Sequence, residues 1–174
     1  DSHSALDALK NKLEEYGFKF HLFEIGSYAY AKKIGLKADA PQVRQLMEKS
    51  QALRLMVKIM GNMPVVDVLP KLFEVADEGV AMLRNYLNGH SYELGRIESM
   101  DPEELSRYLP TLFARDMAKN LETTKQPLVV FLDTYECLVN ELTGVGLSFG
   151  NDWWLRGDDG LIVQIPNTLW VIAG

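Results

Sequence analysis

The chain is poor in several features that define particular classes of protein. Its single cysteine, Cys137, has no internal partner for a disulfide, which favours a reducing compartment. Its longest apolar runs, such as Leu128–Leu132, are much too short to cross a bilayer. No basic segment followed by an apolar one opens the sequence, so we expect no secretory signal. We therefore predict a cytoplasmic protein without a membrane segment.

An excess of positive charge is also missing. The 174 residues carry 18 Lys and Arg against 24 Asp and Glu, a formal net charge of −6. This acidic balance argues against a protein that wraps nucleic acid, because phosphates attract basic surfaces. The 47% of hydrophobic and 24% of charged residues are ordinary for a globular domain. The composition therefore excludes disordered, collagen-like and disulfide-scaffold classes, and the length fits about one domain.

The spacing of apolar residues predicts an α/β fold. Strict alternation of apolar and polar residues in 18–22 indicates a strand that runs on to 25, and the continuous apolar run 128–132 is typical of a parallel strand buried on both faces. Strands separated by helices imply a partial parallel sheet of about three strands with helices on both faces. The predicted elements are helix 4–16, strand 18–25, helices 27–34, 43–60, 67–87 and 102–121, strand 128–132, helices 134–142 and 153–165, and strand 168–173.

A helical block, residues 39–125, separates the first and second predicted strands, so we interpret it as an insertion between them. Asp101 and Glu104 form a capping-box pattern at the start of one of its helices. Asp39 and Gln42 form a similar pattern at the start of another. The predicted organisation is helix-strand-helix over 1–38, the helical block over 39–125, and a second strand-containing segment over 126–174.

Residues 128–136 carry the candidate chemistry. A strand followed at once by Asp133 delivers a carboxylate to the edge where α/β sheets bind ligands. Such a carboxylate suits Mg²⁺, which prefers carboxylate and water oxygens, and Glu136 can orient or deprotonate a water molecule. The same spacing fits a structural capping box, in which Asp133 caps the next helix and Glu136 is its partner. The spacing alone leaves both interpretations open.

Two segments resemble parts of a known family. Residues 127–138, PLVVFLDTYECL, resemble the Walker B strand of the STAND (signal-transduction) branch of P-loop ATPases. Residues 152–174 resemble the segment that leads into the next strand, the sensor strand, above all in bacterial members with tetratricopeptide repeats. The resemblance implies an AAA-like domain that binds ATP and Mg²⁺, with Asp133 as the Mg²⁺ carboxylate and Glu136 as the water-activating base.

One element of that family has no counterpart in the printed sequence. No Gly-Lys dipeptide occurs, so the phosphate-binding pattern G-x-x-x-x-G-K-[ST] is absent. The glycine-rich segment 143–151 contains no lysine, and we interpret it as a connector. We therefore expect an internal part of a larger ATPase that is inactive by itself. The alternative is a non-catalytic protein–protein interaction module on a degenerate ATPase scaffold.

The resemblance also predicts an interaction surface. In this family the P-loop strand lies beside the sensor strand, which corresponds here to 168–173. Without that neighbour, the sensor strand is an apolar edge strand, and such edges recruit other strands. We expect self-association or protein partners at this edge.

The remaining reactive side chains favour structural roles. The three histidines lie far apart in the sequence, and His21 is predicted on the polar side of a strand, at the surface. Cys137 is interpreted as a buried structural thiol rather than a nucleophile, because no histidine lies near it in the sequence. The pair Trp153 and Trp154 favours core packing, with a partner-binding patch as the alternative.

Overall fold

The computed structural model describes residues 2–37, 39–60, 78–125, 127–133 and 152–173. These residues are mostly helical and contain one small parallel sheet. Their elements in chain order are α1 (Ser2–Glu14), α2 (His21–Lys33), α3 (Pro41–Lys49), α4 (Gln51–Met60), α5 (Glu78–Asn88), α6 (Ser91–Ser99), α7 (Pro102–Thr124), β1 (Leu128–Leu132), α8 (Trp153–Arg156), α9 (Leu161–Gln164) and β2 (Thr168–Ile172).

The chain divides into two compact units, which are described separately. The first unit comprises residues 1–20 and 110–174, and the second comprises residues 21–109. The division falls at Pro110, a residue inside α7 that cannot donate a backbone hydrogen bond.

The sheet of the first unit consists of β1 and β2 in parallel pairing, as predicted. Leu128 lies opposite Thr168, and Leu132 lies opposite Ile172. The pairing begins with the Leu128 N–H, which donates to the Asn167 carbonyl at 3.1 Å. Asn167, in the turn before β2, has φ 53°, a left-handed conformation that asparagine tolerates.

One face of this sheet is much more exposed than the sequence predicts. Val130 is buried, whereas its neighbours Val129 and Phe131 are 47% and 73% exposed. Leu169, the register partner of Val129, is 61% exposed. The prediction that β1 is buried on both faces is therefore wrong for the described residues.

The predicted first strand is also wrong. Phe18, Lys19 and Phe20 form a short non-helical connection, and the chain becomes helical at His21. Both phenylalanines are buried, and the Phe20 ring lies 4.7 Å from the Phe113 ring. Their alternation with lysine therefore reflects packing against α7, and the described sheet has two strands rather than three.

A side chain takes the place of the neighbouring strand in this connection. The Asn120 Oδ1 accepts the Lys19 N–H at 2.9 Å, and the Asn120 Nδ2 donates to the Lys19 carbonyl at 2.8 Å. Both backbone groups of Lys19 are thus paired with one amide on α7. This pairing satisfies the extended backbone without a sheet.

The helical block is not an insertion in this sheet. The predicted strand before the block, 18–25, is a short connection followed by α2, so among the described residues no strand precedes the block and the two described strands both follow it. The predicted helix 43–60 is two helices, α3 and α4, which meet at Ser50. The N-cap of α3 is Ala40, one residue after the predicted Asp39.

The capping box at the start of α7 is confirmed. The Asp101 Oδ1 accepts the Glu104 N–H at 2.9 Å, and the Glu104 Oε2 accepts the Asp101 N–H at 3.1 Å. Two otherwise unpaired backbone donors are satisfied reciprocally, which fixes where α7 begins.

The predicted helix 153–165 is interrupted by its glycines. It forms α8 and α9, separated by residues 157–160. A Cβ at Gly157 would lie 2.5 Å from the Trp153 carbonyl oxygen, and one at Gly160 would lie 2.5 Å from that of Leu155. Close approach of backbone to backbone therefore requires glycine at both positions.

Gly35 and Gly95 in the second unit offer a matched test of backbone conformation. A Cβ would have open space at both, but Gly35 has φ +79° and Gly95 lies within α6. We expect Gly35→Ala to lower the free energy of unfolding by about 1 kcal/mol, because alanine is strained at positive φ. Gly95→Ala should raise it by roughly 0.5–1 kcal/mol, because alanine favours a helix. Urea unfolding of both variants checks the signs, and equal shifts would contradict this assignment.

Candidate functional site

The candidate site lies at the carboxyl end of the parallel strands. Asp133 follows β1 directly, and its side chain is exposed. The last ladder hydrogen bond runs from the Ala173 N–H to the Leu132 carbonyl at 2.9 Å. The ends of both strands therefore meet beside Asp133, at the position where open α/β sheets bind ligands.

This position fits a carboxylate that binds a hydrated cation. An exposed carboxylate needs no buried counter-charge and reaches water and phosphate groups. Mg²⁺ is usually held by one or two carboxylates together with waters and substrate phosphates, rather than by a full set of protein ligands. The part of the chain that the structure describes contains no group of three or more His, Cys, Asp or Glu side chains able to hold a metal ion.

Several predicted features lie outside the described residues. These are Glu136, Cys137, the helix 134–142 and the connector 143–151. Of the two predicted site residues, the structure therefore describes Asp133, and the role of Glu136 stays a prediction.

Asp152, which follows the connector, is buried. Its side chain does not cap α8, and instead accepts a hydrogen bond from the Arg156 Nε one helical turn later. Of the adjacent tryptophans, Trp154 is buried and Trp153 is 38% exposed. The core interpretation therefore holds for Trp154 alone.

The second unit contains a buried acidic group that the sequence did not indicate. Glu24 is 4% exposed and accepts a hydrogen bond from the Ser50 hydroxyl. The Ser50 Oγ in turn accepts the Leu53 N–H at 3.0 Å, which caps the start of α4. One serine therefore joins a buried carboxylate of α2 to the junction of α3 and α4.

Glu24 also lies near His21, whose ring begins a series of ring contacts. The His21 Nδ1 lies 4.0 Å from the Glu24 Oε2, and the His21 ring meets Tyr86 edge-to-face at 5.3 Å. Tyr86 stacks on His90 at 4.6 Å, and His90 Nδ1 lies 2.8 Å from the Tyr86 carbonyl. His21 is therefore packed at a helix start rather than at the surface of a strand, which corrects the prediction.

The order of groups here does not suit nucleophilic catalysis. In a catalytic triad the imidazole lies between the hydroxyl and the carboxylate, because it must take the hydroxyl proton. Here the Glu24 carboxyl oxygen accepts a hydrogen bond from the Ser50 hydroxyl, with no imidazole between them, and Ser50 is 4% exposed. The arrangement is a buried structural network rather than a nucleophile site.

Basic side chains of the second unit also make internal contacts. The Lys33 Nζ donates to the Glu98 carbonyl at 2.7 Å. The Arg96 guanidinium lies 4.4 Å from the ring centroid of Tyr108, a cation–π distance. Burial raises the pKa of Tyr108, and the nearby Arg96 charge offsets part of that rise. These contacts indicate that both cations stabilise the unit.

No family model, no curated protein and no solved structure matches this chain. Within the described residues, no helix combines the length and apolar character needed to cross a membrane.

Proposed function

We propose that this chain is part of the nucleotide-binding domain of an ATP-dependent signalling switch of the STAND type. Asp133 binds the Mg²⁺ that accompanies ATP, and Glu136 activates the attacking water in the intact domain. The observation that carries the proposal is the exposed carboxylate of Asp133, directly after a strand that pairs in parallel with 168–172.

The pairing of the two strands supports this proposal because of where they come from in the sequence. The Walker B-like segment 127–138 contains β1, and the sensor-like segment 152–174 contains β2. The two segments that resemble the family by sequence are thus direct neighbours in the sheet.

The chemistry of the proposed switch follows from the charges involved. ATP brings phosphate oxygens that complete the coordination of Mg²⁺, and Asp133 contributes a carboxylate, through water or directly. The bound γ-phosphate orders the site, and hydrolysis of ATP removes that ordering contact. Because ATP is the ligand, the proposal assigns the protein to the cytoplasm.

The lack of a Gly-Lys dipeptide defines a direct test. Without a phosphate-binding loop, the β- and γ-phosphates have no lysine and no backbone amide cradle. We expect this chain alone to bind ATP with Mg²⁺ more weakly than about 1 mM in calorimetry. A longer chain that places a G-x-x-x-x-G-K-[ST] loop before residue 1 should bind in the micromolar range.

The two titrations test separate expectations, the inactivity of this chain alone and the switch itself. Tight binding by this chain alone would contradict the expectation that it is inactive by itself. No binding by a longer chain that carries the loop would contradict the switch. That second result would instead favour the interaction module.

The interaction module is favoured by a separate observation. Val129, Phe131 and Leu169 expose apolar surface on one face of the sheet, and exposed apolar patches mark sites of association. In this alternative the strands serve as a scaffold, and a protein partner or a second copy adds to the apolar edge of β2.

A further inference from the structure

We draw no further inference here: the strongest candidate, the apolar face of the two-stranded sheet formed by Val129, Phe131 and Leu169, carries no proposal because nothing in the described part of the structure shows what covers it.

Discussion

Asp133→Asn is expected to lower ATP hydrolysis roughly 100-fold in a chain that includes a phosphate-binding loop. The asparagine amide keeps the size and polarity of the side chain but removes its negative charge. Mg²⁺ then loses an anionic oxygen that balances its charge during phosphoryl transfer. A steady-state phosphate-release assay at saturating ATP measures the effect. It corresponds to about 2.7 kcal/mol of lost transition-state stabilisation.

The control for this variant is Asp158→Asn in the same unit. Asp158 is also an exposed aspartate, and it lies in the turn between α8 and α9 rather than directly after a strand. We expect it to leave hydrolysis unchanged.

Glu136→Gln should abolish turnover while ATP still binds, because it removes the proposed base and not the Mg²⁺ carboxylate. Normal hydrolysis in both Asp133→Asn and Glu136→Gln would contradict the assignment of Asp133 and Glu136 to the site.

Ser50→Ala is expected to lower the free energy of unfolding by about 2–4 kcal/mol. The alanine removes the hydroxyl that donates to the buried carboxylate of Glu24. It also removes the oxygen that accepts the Leu53 N–H at the start of α4. A helix cap and a hydrogen bond to a buried carboxyl group are both costly to lose, and here the Ser50 Oγ supplies both. Urea unfolding followed by circular dichroism measures the change.

Two variants separate this explanation from a general intolerance of substitution. Ser50→Thr keeps the hydroxyl and should recover most of the stability. Ser99→Ala removes a hydroxyl that donates to the Arg96 carbonyl at an exposed position, and should cost less than about 0.5 kcal/mol. If Ser50→Ala were no more destabilising than Ser99→Ala, the Glu24–Ser50 contact would have no energetic importance.

The parts of the fold that the sequence predicts are those with strong local signals. The apolar run of β1 and the helical segments predicted between the strands indicated the two strands and their parallel arrangement, which the structure shows. The Asp101 and Glu104 pair gave the start of α7, because both of its hydrogen bonds are local. The location of Asp133 followed from the same reasoning, since the residue after a strand is at the sheet edge.

Other parts could not be predicted because their causes lie far away in the chain. The helix α2 is buried on nearly every side, so its apolar residues show no helical period. The extended backbone before α2 is paired at Lys19 with the side chain of Asn120, which is 101 residues away in the sequence. The Glu24 and Ser50 pair joins residues 26 apart, and no local spacing indicates it. Tertiary contacts of this kind override local patterns.

Mn²⁺ affinity is the measurement that bears on the proposed role of Asp133 in holding the metal ion of a bound nucleotide. Mn²⁺ substitutes for Mg²⁺ and is detected by electron paramagnetic resonance as it binds the ATP-loaded longer chain. Asp133→Asn should weaken Mn²⁺ binding roughly tenfold or more, while Asp158→Asn leaves it unchanged and ATP affinity without metal stays the same in all three proteins. Equal Mn²⁺ affinity in wild type and Asp133→Asn would contradict the claim.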